Sequence, residues 1–246
     1  MIIEYEEGKF RKVSEASGWF YRVFEHPKDG LLLMGQRMGT DGLLEGAIYQ
    51  MVWKKNRFER GSKMKFPSDA QLFGIATGHI RDPKDLDVIV LNEFNRLAVI
   101  APDGKTVYTS RGHFGGTEIF YDTWASREMV YRPSDRISRR VFIRGRVLIR
   151  DLDKDGLDEV IVNKNDSSME VMERAKTYDK GEIVDLVWDQ GNLAQNWTTQ
   201  ELAGYITDYQ IKDVDNDGEE ELVVALVMPG AGLTGNPTST ILFFRF

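Results

Sequence analysis

The sequence contains no cysteine and only three histidines. The first absence removes disulfide frameworks, Cys-ligated zinc, iron–sulfur clusters and thiol nucleophiles together, and it leaves the redox compartment open. The second leaves His26, His79 and His113, which sit in different parts of the chain without an evident nucleophile beside them. Neither His-Glu-x-x-His nor Gly-x-Ser-x-Gly occurs, so no familiar catalytic constellation is visible. Long apolar runs are also missing. The longest, Leu222 to Met228, falls far short of the roughly 18 residues of a membrane-spanning helix, so no span is expected in this chain. The N-terminal Met1-Ile-Ile-Glu-Tyr-Glu-Glu-Gly8 carries acid where a signal peptide carries base. Continuous apolar stripes of period 3.6 are absent almost everywhere, which argues against long helices. Basic charge is in deficit: the net charge is −7 and the sequence pI about 5.2. That disfavours a nucleic-acid binder, which must neutralise phosphates, and suits cations better.

What is present is ordinary globular material, 246 residues with 41% hydrophobic and 29% charged side chains. A chain of this length buries about 70% of its unfolded surface and can build a core without staples. Within it the sequence repeats. Asp151-Leu-Asp-Lys-Asp-Gly-Leu-Asp-Glu159 and Asp213-Val-Asp-Asn-Asp-Gly-Glu-Glu-Glu221 superpose at an offset of 62 residues (213 − 151). Each lies between apolar strands: Val147-Leu-Ile149 and Val160-Ile-Val162 flank the first, Tyr209-Gln-Ile211 and Leu222 to Val227 the second. A shortened copy reads His79-Ile-Arg-Asp82-Pro-Lys-Asp85-Leu-Asp87, with Asp87 aligned to Glu159, and a faint one ends in Asp29-Gly30. Hairpins extend each copy. Ile48 to Trp53 and Ile183 to Trp188 are alternating strands followed by polar turns, and Asp103-Gly104 joins Leu97–Ala101 to Thr106–Tyr108. A repeat of roughly 55 to 70 residues holding four strands is the size of one propeller blade. The expectation is an all-β chain, one β-propeller domain over residues 1–246. Its repeats fall near 16–70, 71–140, 141–204 and 205–246. The last copy lacks a fourth strand, and a strand from residues 1–15 is one candidate to complete it; membership in a larger propeller is the other.

Asp-x-Asp-x-Asp-Gly-x-x-Glu between two apolar strands resembles the FG-GAP or VCBS repeat, which builds β-propellers such as that of integrin alpha chains. The resemblance is specific in copies three and four, partial in copy two and faint in copy one. It implies a propeller of about four four-stranded blades and calcium ligation; it assigns no activity, because such repeats serve adhesion proteins, lectin-like proteins and ancillary parts of enzymes.

The residues support calcium independently. A hard divalent cation takes six to eight oxygens, and carboxylates at alternate positions of a tight loop provide them. Asp151, Asp153 and Asp155, the carbonyl of Leu157 and Glu159 form one candidate set around Gly156. Asp213, Asp215 and Asp217, the carbonyl of Glu219 and Glu221 form the other around Gly218. An EF-hand requires Glu at the twelfth loop position and flanking helices, whereas Val162 and Val224 stand there between strands. The plainer alternative is an acidic solvated turn, which Asp, Asn and Gly favour anyway. In copy two, Pro83 and the shorter loop break the alternation, so a tight site is not expected among Asp82, Asp85 and Asp87.

Seven arginines and one acid lie between Arg132 and Arg150. Period two places Arg144, Arg146 and Arg150 on one face of the strand entering the third acidic loop, a candidate anion site; a solvated face partnered by neighbouring acids is the alternative. The preceding segment 111–143 is long and aromatic, the kind of insertion in which binding specificity resides. These features together suggest a calcium-stabilised binding or scaffold module with two calcium ions, located outside the cytoplasm with its leader absent from this chain, and recognising a protein or an anionic glycan. A carbohydrate-active hydrolase or lyase using carboxylates from several blade loops is the alternative.

Overall fold

A computed structural model describes residues 2–14, 18–39, 44–54, 57–124, 138–167, 177–230 and 235–245. Among them, nineteen strands and one short 3-10 turn, Leu72–Gly74, account for the regular structure. The strands are β1 Ile2–Glu6, β2 Lys9–Ser14, β3 Trp19–His26, β4 Gly30–Met38, β5 Leu44–Lys54, β6 Arg57–Lys63, β7 Ile75–Gly78, β8 Asp87–Leu91, β9 Leu97–Ile100 and β10 Thr106–Thr109. They continue as β11 Phe120–Trp124, β12 Ser138–Phe142, β13 Val147–Arg150, β14 Glu159–Asp166, β15 Lys180–Asp189, β16 Asn192–Thr198, β17 Tyr205–Lys212, β18 Glu221–Met228 and β19 Thr238–Arg245.

The fold is all-β and of the β-propeller class, built on four small antiparallel sheets, each an up-and-down meander of sequence neighbours. Blade one is β3-β4-β5-β6, blade two β7-β8-β9-β10, blade three β13-β14-β15-β16 and blade four β17-β18-β19. Blade four has three strands among the described residues. The N-terminal segment, one candidate to complete it, forms a two-stranded sheet of its own in which β1 pairs with β2. A second two-stranded sheet, β11-β12, lies within the 111–143 insertion.

The chain divides into two compact units, residues 1–72 with 122–139, and residues 73–121 with 140–246. In the first, blade one is organised around Phe24, Met34, Ile48 and Met51, all at least 95% buried. Gln36 is the polar pin of this unit. Its amide donates to the carbonyls of Gly46 and Ala70 at 3.0 Å each, and its oxygen accepts the Leu72 N–H at 2.9 Å.

The second unit holds blades two, three and four, and its core lies between blades. In a strand, successive side chains point to opposite faces, so a strand with both faces covered reads as a continuous apolar run. β14 is such a strand. Val160 and Val162 pack with Ile89, Leu91, Leu97 and Val99 of blade two, while Ile161 between them packs with Ile206, Tyr209, Leu222 and Val224 of blade four. Polar contacts tie blade three to the insertion. Asn163 and Asn165 each donate to the carbonyl of Gly116, at 3.1 and 2.9 Å, and the Gly115 N–H donates to the Asn163 carbonyl at 2.8 Å. A Cβ on Gly115 would run into Leu91 and one on Gly116 into the Tyr178 ring, which is why the insertion opens on two glycines.

Tight turns set the registers. Gln190 and Gly191, at φ 45° and 88°, close the β15–β16 hairpin between the paired residues Asp189 and Asn192. Two residues of positive φ match the strand twist.

Because Ile161 is fully buried on the blade-four face, Ile161→Ala is expected to destabilise the second unit by about 2–5 kcal/mol. Denaturant unfolding checks this, and a loss below that range would mean the blade interface relaxes around the cavity.

Candidate metal centres

Each acidic loop spans the turn from the first to the second strand of its blade. In blade three Arg150 pairs with Glu159, and in blade four Lys212 pairs with Glu221, so each loop begins one residue after the first strand ends. The two loops have the same internal wiring. Gly156 N–H donates to Asp151 Oδ2 and Gly218 N–H to Asp213 Oδ2, both at 3.1 Å. Asp153 Oδ1 accepts from Asp155 N–H at 3.1 Å and Asp215 Oδ1 from Asp217 N–H at 3.2 Å. Asp155 and Asp217 accept from the amides of Leu157 and Glu219 at 2.8 and 2.9 Å. Glu159 Oε2 accepts from Leu152 N–H at 2.6 Å, and Glu221 Oε2 from Val214 N–H at 3.1 Å. Even the left-handed residues coincide: Lys154 and Asn216 at φ 64° and 62°, Gly156 and Gly218 at 93° and 94°.

This wiring uses one oxygen of each of these carboxylates on a backbone amide. One oxygen from each of Asp151, Asp153 and Glu159 lies within 4.8 Å of the others, and so do oxygens of Asp213, Asp215 and Glu221. Asp151 Oδ1, Asp213 Oδ1 and Glu221 Oε1 are buried without a hydrogen-bond partner. Carboxylates at such separations repel by on the order of 1–4 kcal/mol per pair between water-like and protein-surface dielectrics. Buried oxygens left unpaired add a desolvation cost. A divalent cation at the centre removes both penalties, so the donor set fits a hard, oxygen-seeking ion. Asp155 and Asp217 are exposed and accept from the amides of Leu157 and Glu219.

The surroundings of the two loops differ in ways the motif does not encode. Asp185 on β15 is fully buried beside the blade-three loop and accepts from Asn196 Nδ2 at 2.9 Å. Burial, with the nearby charges of Asp185 and Asp153, pushes Glu159 up to about 7, and burial pushes Asp185 up to about 6. In blade four, Arg245 at the end of β19 reaches Asp215 at 2.9 Å, Asp217 at 3.3 Å and Glu221 at 3.9 Å. In the shortened copy of blade two, the buried Asp87 is gripped by Arg81, whose Nε and Nη2 lie 2.8–3.1 Å from its oxygens. The faint copy in blade one is a turn in which His26 Nδ1 accepts from the amides of Lys28 and Asp29.

The arginines of the candidate anion site are placed differently from expectation. β13 starts at Val147, so Arg144 and Arg146 lie in the segment before it and only Arg150 is on the strand. The strand starts later because Gly145 is drawn to the insertion, its N–H donating to the Gly115 carbonyl at 2.8 Å. Arg144 Nε donates to the Asn92 carbonyl at 2.8 Å. Arg146 forks Asp208 of blade four at 3.1 and 2.9 Å, and Arg150 donates to the Ile149 carbonyl at 3.1 Å. The first two are therefore engaged across blades. Of the insertion's aromatics, Phe114 packs on the core of blades two and three, while Phe120 stacks edge-on to Phe142 with Arg140 over its ring at 4.3 Å. Arg132 and Arg136 lie outside the described residues.

Three charged side chains that bear on the acidic loops escape the motif: Arg81, Asp185 and Arg245. Asp185 is detectable as the acid interrupting Ile183-Val-Asp-Leu-Val187, where period two calls for a core residue. Arg245 becomes visible only once β18 and β19 are paired and Glu221 is set opposite it. Comparison of the chain with protein-family models, curated proteins and solved structures yields no match.

The raised carboxyls have a consequence for the ion-free protein. Folded Glu159 and Asp185 hold protons that the unfolded chain releases, so their contribution to stability is fully present at acid pH. It is lost as pH rises from the ordinary carboxylate range to about 7. In chelator, the unfolding midpoint is expected to fall between pH 5 and pH 7.5, and Glu159→Gln to flatten the slope. Equal slopes in the two proteins would contradict this.

Proposed function

We propose that the chain is a calcium-stabilised propeller module of the FG-GAP/VCBS kind that serves binding or scaffolding outside the cytoplasm. The observation that carries this reading is the duplicated loop, in which two sequences 62 residues apart (213 − 151) adopt the same hydrogen bonding. Both also leave the same aspartate oxygen, Oδ1 of Asp151 and of Asp213, buried and unpaired. An acidic turn that needed only solvent would keep those oxygens wet. In this reading Asp151, Asp153 and Glu159 hold one ion and Asp213, Asp215 and Glu221 the other, with Asp155, Asp217 and the carbonyls of Leu157 and Glu219 completing the coordination.

The role of the ions is structural. Each loop joins the first and second strands of its blade, and the Asp158 side chain and N–H of the blade-three loop exchange hydrogen bonds with the backbone of His79 in blade two, at 2.6 and 2.9 Å. An ion that orders the loop therefore also orders a blade-to-blade contact. Calcium loops of this modest charge suit the high free calcium outside the cytoplasm. The partner surface we assign is the β11–β12 hairpin with Phe120, Phe142 and Arg140, whose rings and guanidinium suit a polypeptide or an acidic sugar.

Calorimetric titration of chelator-stripped protein with calcium tests the reading: two ions are expected, and Asp153→Ala and Asp215→Ala should each remove one. At one hundred times the dissociation constant each ion stabilises by about 2.7 kcal/mol, a rise in melting temperature of roughly 5–10 °C per site. A stoichiometry of zero with unchanged melting would overturn it.

A further inference from the structure

Two loops of one sequence pattern are set against different third strands. In blade four the register pairs Glu221 with Arg245, and the Arg245 guanidinium bridges Asp215, Asp217 and Glu221 from an exposed position. In blade three the register pairs Val160 with Leu186, which sets the neutral Val187 opposite Glu159. No ion pair reaches Asp151, Asp153, Asp155 or Glu159 among the described residues. Two residues away on β15 stands Asp185, fully buried, with Oδ1 unpartnered, its charge acting on Glu159 and the charge of Asp153 acting on it in turn. The position equivalent to Asp185 in blade four is Phe243, opposite Val223 as Asp185 is opposite Ile161.

Blade two shows where this series ends. Its loop has lost the alternating carboxylates, and the aligned acid, Asp87, is closed by a guanidinium from within the loop itself. The same buried carboxylate at the head of the second strand is thus met by a permanent internal cation in blade two, a tethered exposed one in blade four, and a further acid in blade three.

We propose that the third strand grades the two acidic loops as cation sites: Asp185 strengthens the blade-three site, and Arg245 is a competing counter-ion that a cation entering the blade-four loop must displace. The inference rests on the calcium reading above and adds an order of filling, blade three first and blade four only at higher calcium. Displacement is physically open to Arg245, because its side chain is 65% exposed and a released guanidinium returns to water. Arg81 has no such route, being 22% exposed against a carboxylate that is 0% exposed. The arrangement also stabilises the blade-four loop when calcium is absent, since the arginine offsets part of the carboxylate repulsion that the blade-three loop retains.

The test is calcium titration of each loop in isolation, the blade-three loop in Asp215→Ala protein and the blade-four loop in Asp153→Ala protein. The blade-three loop is expected to bind at least tenfold more tightly. Adding Arg245→Gln should tighten the blade-four loop by roughly tenfold, with Arg245→Lys intermediate; adding Asp185→Asn should weaken the blade-three loop by a similar factor. A second readout needs no calcium: in chelator, Arg245→Gln should lower the melting temperature and Asp185→Asn should raise it. Equal affinities, with Arg245→Gln changing neither affinity nor the chelator melting temperature, would overturn this inference and leave the calcium reading standing. No calcium binding to wild type or any variant would overturn both.

Discussion

A carboxylate buried at the head of the second strand is the constraint around which the second unit is organised. Asp87, Glu159 and Glu221 occupy this position in blades two, three and four, and their exposures are 0%, 3% and 3%. An ionised carboxylate so far from water is tolerated only when paired or ligating. Blade two pairs it with Arg81 and blade four faces it with Arg245. In blade three the Leu152 amide is its bonded partner and no cation faces it among the described residues, so burial raises its pKa to about 7 in the ion-free protein, which is the physical reason for the calcium proposal.

The position matters because the neighbouring residues are the core. Glu159 and Glu221 lead directly into Val160-Ile161-Val162 and Leu222-Val223-Val224, the strands whose side chains fill the interfaces between blades. A loop that splays under its own charge therefore pulls on the strand that holds two blades together. The hydrogen bonds between Asp158 and His79 tie the same loop to blade two. Order in the loop and order in the interface are thus parts of one structure, and a cation that ordered one would order the other.

Most of the fold was legible in the sequence, because it rests on local signals. Alternating or continuous apolar runs gave the strands, Asp-Gly and Gln-Gly gave the turns, and the repeated acidic nonapeptide gave the turn between two strands in two of the blades. What was not legible depends on strand pairing. Period two extended from Arg150 back to Arg144 suggests one arginine face, yet Gly145 bonds to Gly115 and the strand starts only at Val147, leaving Arg146 outside it and turned to Asp208. The N-terminal residues have hairpin character, and a hairpin can pair with itself as β1 and β2 do. The acidic loops were readable as carboxylate clusters but not as unequal ones, since Asp185 lies 26 residues beyond Glu159 (185 − 159) and Arg245 24 beyond Glu221 (245 − 221). Only antiparallel pairing brings such residues to the loop.

The most direct measurement is diffraction from crystals grown with calcium, recorded at a wavelength where the ion scatters anomalously. The account predicts two anomalous peaks, each within about 2.3–2.6 Å of carboxylate oxygens, one among Asp151, Asp153 and Glu159 and one among Asp213, Asp215 and Glu221, with Arg245 swung away from the second. Density without either peak at saturating calcium, with Arg245 still seated on Asp215 and Asp217, would contradict it.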